Sequence, residues 1–143
     1  MTVKAILSHK GSDVITIDPA ADLAAAARVL VERDIGALVV TDVDNCVVGI
    51  LSERHIVRAI AERGAKALDV PIAEVMTRKV VTCGIDETVI EIMAVMTAGK
   101  FRYIPVVEQG RLDGIVSIGD VVKWRLNDMK QESAGLREYI ATA

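Results

Sequence analysis

Aromatic side chains are scarce: Phe101, Tyr103, Trp124 and Tyr139 are the only four in 143 residues. That is too few for a platform on which nucleic-acid bases stack. The formal charge of −3, from 17 basic and 20 acidic residues, also argues against a polyanionic partner. Cysteine is rarer still. Cys46 and Cys83 stand far apart, form no CxxC or zinc-type spacing, and read as small buried hydrophobes in a reducing compartment. Asp22 and Arg28 interrupt the alanine-rich stretch 19–31, so no run is long enough to read as a membrane span. With no secretory leader recognisable, the expectation is a cytoplasmic chain with no nucleic-acid and no membrane partner. The common catalytic signatures GxGxxG, GxxxxGK[ST], HExxH and GxSxG do not occur, and neither His9 nor His55 has a cysteine or second histidine beside it. No catalytic residue, no metal site and no required cofactor are expected; the chain does not read as an enzyme.

What the sequence does hold is aliphatic: 52% of residues are apolar, enough for a core built from Val, Ile, Leu, Ala and Met without metal or disulfide support. It also holds a repeat. Val14-Ile15-Thr16-Ile17 returns 66 residues later as Val80-Val81-Thr82-Cys83. Leu23, Ala27 and Leu30, on one helix face, correspond to Val89, Met93 and Met96. Gly36-Ala37-Leu38-Val39-Val40 aligns with Arg102-Tyr103-Ile104-Pro105-Val106, and after a one-residue gap Gly49-Ile50-Leu51-Ser52 aligns with Gly114-Ile115-Val116-Ser117. The chain reads as a tandem duplication.

Each copy is read as β-α-β-β-α. Asp18-Pro19 and Asp86-Glu87 are expected to start the first helix of each copy. Strands 37–41 and 47–51 flank a polar turn at 42–46, and Glu108-Gln109-Gly110-Arg111 turns the second hairpin. The closing helices begin near Ser52 and Ser117, with a linker from Arg63 to Pro71. The expected units are 3–63, 70–128 and a helical tail at 129–143, in which Met129, Leu136 and Ile140 recur near helical spacing around Ser133 and Gly135. One such unit leaves a sheet face bare, so the fold class is α/β with two repeats packed by pseudo-two-fold symmetry and clefts between them. Met93 and Met96 read as core or as a flexible contact surface.

Gly114-Ile115-Val116-Ser117-Ile118-Gly119-Asp120 carries the most chemistry. Ser117 and Asp120 fit a capping box. The same carboxylate, beside a helix N-terminus, suits both hydroxyls of a ribose diol, and the two readings are compatible. In order and duplication these segments resemble a pair of cystathionine-β-synthase (CBS) domains, a Bateman module, over about residues 3–127.

The resemblance implies a regulatory module that binds an adenosine compound: AMP, ADP, ATP, NAD(H) or S-adenosylmethionine. It implies Asp120 at the ribose, with Ser117 and Ile115 lining the pocket. It places adenine near Thr16, Ile17 and Ala37, and Arg102 and Tyr103 toward the phosphates, Arg102 being otherwise a solvated surface charge. The first copy departs from the family pattern: Ser52-Glu53-Arg54-His55 has His55 where the acid is expected, and imidazole cannot offer two acceptors to a diol. A second, weaker cleft with Thr82, Ile50, Ser52, Arg54 and His55 is thus empty, bound in another pose, or a phosphate site, unless His55 is an ordinary first-turn residue. The family further implies a face-to-face homodimer and an unidentified protein partner. A ligand-independent dimerisation scaffold is the other reading.

Overall fold

The computed structural model describes residues 1–11 and 13–142. Helix α1 spans Val3–Lys10, strand β1 Thr16–Ile17, helix α2 Leu23–Arg33, β2 Ala37–Thr41, β3 Val47–Ser52 and α3 Glu53–Arg63. A 3-10 segment (Gly64–Asp69) and the short α4 (Ile72–Val75) lead into the second copy. That copy holds α5 (Val89–Gly99), β4 (Tyr103–Glu108), β5 (Arg111–Ser117) and α6 (Ile118–Thr142).

In the first sheet β1 runs parallel to β2, with Thr16 opposite Val39, and β2 pairs antiparallel with β3. In the second, β4 and β5 form a hairpin turned by Gln109 and Gly110, both at positive φ, as a two-residue turn of the primed type requires. The strand expected over 80–83 shrinks to one bridge, Cys83 beside Val106. Cys83 N–H donates to the Pro105 carbonyl, and Val107 N–H to that of Cys83. The next rung of a parallel ladder would need an N–H at Pro105, which has none, so pairing stops there.

The helix starts also differ from expectation. The Asp18 carboxylate accepts from Ala20 N (2.7 Å) in a turn, and the cap of α2 comes four residues later, at Asp22, which accepts from Ala25 N (2.8 Å). In the second copy the cap is Thr88, boxed with Glu91, while Glu87 accepts from Gly84 N (2.6 Å). The buried faces are Leu23, Ala26, Leu30 and Val89, Ile92, Met96; Ala27 and Met93 sit half-buried beside them. Cys83 is buried as expected, but Cys46 lies half-exposed in the first hairpin turn. The tail is no separate element: α6 runs unbroken through Ser133 and Gly135, while Ala143 lies outside the described residues.

The two cores do not follow chain order. Val3, Ile6 and Leu7 of α1, which precede the first copy, pack with Ile92, Ile104 and Val116 of the second. Ala67, Ile72 and Met76, which precede the second copy, pack with Leu23, Leu38 and Leu51 of the first. Matching backbone bonds fix each crossing: Val3 N to Glu87 O and Val89 N to Met1 O on one side, Leu23 N to Val70 O and Ile72 N to Ala21 O on the other. Both crossings end on a glycine. A Cβ at Gly114 would stand 2.7 Å from Leu7 Cδ2, and one at Gly49 would collide with Met76 Sδ.

Gly114→Ala should therefore destabilise the fold by roughly 1–3 kcal/mol through overpacking. Combined with Leu7→Ala it should cost clearly less than the sum of the two single changes. A urea-denaturation double-mutant cycle checks this; strict additivity would show that Leu7 and Gly114 are not in register.

Candidate functional site

The repeats meet across residues 76–81 and 100–103. Thr77 and Ile50 exchange backbone hydrogen bonds, each 3.0 Å, which ties the segment leading into the second copy to β3 of the first. A cleft of about 230 Å³ opens beside this junction. Its apolar wall comprises Ala37, Ile50, Val80, Val81 and Phe101, with Tyr103 over Gly36; a Cβ at Gly36 would collide with the tyrosine hydroxyl. Four cations line it, Arg54 from the first copy and Lys79, Lys100 and Arg102 from the second, against the single carboxylate of Glu53. In a chain of net charge −3 this is a local inversion of sign, suited to an anion.

At the floor, His55 is held at both ring nitrogens. Ser52 N–H donates to Nδ1 (2.9 Å), and the Ser52 hydroxyl lies 2.8 Å from the same atom. A backbone amide can only donate, so Nδ1 is the bare nitrogen and the proton sits on Nε2, where it donates to Thr77 Oγ1 (2.8 Å). His55 thus completes the cap of α3 and also clips the first copy to the second. Burial, and then the nearby Arg58 charge, hold its pKa below the ordinary value, so the ring is neutral at pH 7.

Asp120 occupies the matching place in the second copy but has different company. Its Oδ2 accepts from Ser117 N (2.9 Å), Ser117 Oγ (3.0 Å) and Lys10 Nζ (2.6 Å), and the same ammonium donates to Ile115 O (2.9 Å). Ser117 Oγ in turn accepts from Asp120 N (3.2 Å), which completes the capping box. Burial pulls the carboxyl upward in pKa, but the Lys10 hydrogen bond, the Ser117 amide, the Lys10 charge and the Ser117 hydroxyl outweigh it and keep it below the usual range. Elsewhere, burial and then Glu87 push the Cys83 thiol up to about 12, which leaves it protonated and a poor nucleophile.

The expected site residues are therefore regrouped. Ala37, Arg102 and Tyr103, assigned with Asp120, share one cleft with Ile50, Ser52, Arg54 and His55. Asp120, Ser117 and Ile115 gather around Lys10 instead. Thr16 and Ile17 pair with Val39 and Val40, and exposed Thr82 is absent from the cleft lining. Sequence reasoning passed over Lys79, Lys100 and Lys10, although the first two occupy the repeat positions of Asp13 and Asp34 and so mark a charge difference between the copies.

With a folded-state pKa below the ordinary one, His55 adds stability above about pH 6.5, and that stability is lost as pH falls below this value. The urea midpoint should drop from pH 7.5 to pH 5.5 more steeply in the wild type than in His55→Asn; equal slopes would place the ring outside this network.

Comparison with known proteins agrees with this architecture. The CBS domain model matches residues 3–62 and 72–127. A solved CBS-domain containing protein from Agrobacterium tumefaciens is 48% identical, with a TM-score of 0.83 over 87% of this chain and 92% of that one. The CBS domain pair of protein MJ0100, solved with 5′-methylthioadenosine and S-adenosyl-L-methionine, is 29% identical, with a TM-score of 0.80 over 90% of this chain and 98% of that one. An uncharacterized 17.7 kDa protein of Acidianus ambivalens is 37% identical over 77% of this chain. The chain spans 66% of that relative's length, and 40% of a 33.4 kDa Thermofilum pendens relative. Among the described residues no helix is long and apolar enough to cross a membrane. Two matched repeats, joined by reciprocal packing of their leading segments, make this chain a member of the CBS domain family, a tandem CBS pair.

Proposed function

We propose that the chain is a regulatory module that binds a phosphorylated adenosine compound, AMP, ADP, ATP or NAD(H), in the cleft above His55. The observation that carries this reading is the convergence of Arg54, Lys79, Lys100 and Arg102 on one apolar-walled cleft. Guanidinium and ammonium groups suit phosphate oxygens, and the aliphatic wall at Ala37, Ile50, Val80 and Val81 suits a purine ring. Binding of adenosine compounds by the MJ0100 pair supports the adenosine part of the reading. S-adenosylmethionine, with its sulfonium cation and no phosphate, fits this cationic lining less well.

The cations also supply a mechanism. Arg54 belongs to one repeat and the other three to its neighbour, so bare charges oppose close approach and a bound phosphate relieves that opposition. Ligand thereby favours the closed arrangement over the open one, which is the differential contact that regulation needs. Exposed apolar side chains on the helices, Val31, Val57, Ile60, Ile90 and Val122 among them, support pairing of two modules as a homodimer and transmission to a second copy or to a protein partner.

A thermal-shift panel tests the reading. At about 100 times its Kd a ligand adds roughly 2.7 kcal/mol, so AMP or a relative should raise Tm by several degrees. Arg102→Ala with Lys79→Ala should remove most of that shift, and adenosine should give less than AMP. Absence of a shift with every adenosine compound would overturn the reading in favour of a ligand-independent scaffold.

A further inference from the structure

The two halves of the module treat the start of their closing helix differently. Position 55 is a neutral imidazole clipped to Thr77, whereas position 120 is a carboxylate clipped to an ammonium that arrives from outside its own repeat. Lys10 is the last residue of α1, and α1 is anchored in the second core by Val3, Ile6 and Leu7. Its side chain is therefore delivered to Asp120 by a fixed helix rather than by a free loop. Two acceptors meet it, Asp120 Oδ2 at 2.6 Å and the Ile115 carbonyl at 2.9 Å, and both lie on the segment that ends β5 and opens α6.

The surrounding charges point the same way. Applying the 66-residue repeat, Lys79, Lys100 and Arg102 correspond to Asp13, Asp34 and Gly36; with the one-residue gap, Arg54 corresponds to Gly119. Asp34 and Lys100 even share a left-handed backbone at the C-cap of their helices (φ 52° and 58°), so the correspondence holds in three dimensions. Every cation of the open cleft is matched on the other side by an acid or a glycine.

We propose that Lys10 is the built-in occupant of the Asp120 site and determines the module's ligand selectivity, so that one phosphorylated nucleoside binds per chain and only above His55. Lys10 Nζ, held between Asp120 Oδ2 and the Ile115 carbonyl, stands where a diol hydroxyl would approach that oxygen, and in the repeat Asp13 and Asp34 replace Lys79 and Lys100. A diol that takes the place of Lys10 on Oδ2 has to displace the ammonium, and acids at the repeat positions of Lys79 and Lys100 favour an uncharged nucleoside over a phosphorylated one there. This inference rests on the nucleotide reading above for its first half and on Lys10 alone for its second.

Titration calorimetry on the full chain decides it, with AMP and adenosine as probes. Wild type should take up one AMP per chain, and Asp120→Asn should leave the AMP Kd within about twofold. Adenosine added to AMP-saturated protein should give no heat with wild type, about one further equivalent with Lys10→Met, and none with Lys10→Met/Asp120→Asn. Two AMP per wild-type chain, a large loss of AMP binding in Asp120→Asn, or no added adenosine site in Lys10→Met would each overturn the proposal. If AMP fails to bind at all, the proposed function falls separately. The difference in adenosine stoichiometry between wild type and Lys10→Met then still decides the role of Lys10.

Discussion

At Gly49 and Gly114 the closing strands offer bare backbone to Met76 and Leu7, side chains carried by segments that precede the opposite repeat. Much else in the module depends on these two contacts. Each repeat by itself has too few layers to cover its sheet, and the missing cover is the leading segment of the other repeat. The exchange welds two small cores into one folding unit, because unfolding either repeat strips buried apolar area from both. It also sets the register between the halves to within the fit of one side chain against one glycine, and that register is what a site shared by two repeats requires.

The crossing chain has a second consequence at the cleft. Residues 76 to 81 pass over the start of α3 to reach the second copy, and on the way Thr77 pairs with Ile50 and accepts a hydrogen bond from His55 Nε2. The chain then continues through Lys79, Val80 and Val81, which line the same cleft as Arg54. On the opposite side α1 passes the start of α6 in the same manner and leaves Lys10 there. One topological device thus yields two unlike clips at the helix starts, His55 to Thr77 beside an open cleft and Lys10 to Asp120.

The strands and hairpins were legible because their signals are local: β2, β3, β4 and β5 show aliphatic runs, and the Gln109-Gly110 turn shows its chemistry in two residues. The helix starts were misread where a local signal had a competing use, as at Asp18, whose carboxylate closes a turn before Asp22 caps the helix. Helix α1 has only Val3, Ile6 and Leu7 to mark it, and its destination in the second core is a tertiary fact with no local trace. Ala37, Ile50, Ser52, Arg54, His55, Arg102 and Tyr103, each singled out by motif or repeat, line one cleft. Their grouping was not legible, because it depends on which segment crosses which helix start. Lys10 is the plainest case: a lysine at a helix end is ordinary until the fold sets it 2.6 Å from Asp120.

A duplicated fold constrains geometry far more than charge, and this chain illustrates why. The positions that shape the backbone agree between copies: the left-handed caps at Asp34 and Lys100, the bare strands at Gly49 and Gly114, the serine caps at Ser52 and Ser117. At Gly49 and Gly114 close side-chain contact fixes the residue, at Ser52 and Ser117 the cap hydrogen bonds do, and at Asp34 and Lys100 the backbone agrees while the side chain is free to differ. The side chains that face the space between the copies are under no such constraint, since a surface charge contributes little to folding. They are therefore the positions where two copies of one unit can diverge, and they have diverged in sign. The cationic cleft collects its charge from both repeats, whereas Asp120 is neutralised by an ammonium from α1. A handful of exposed side chains thus distinguishes two clefts laid over one shared scaffold, and so the two clefts have to be read separately even though the fold relates them.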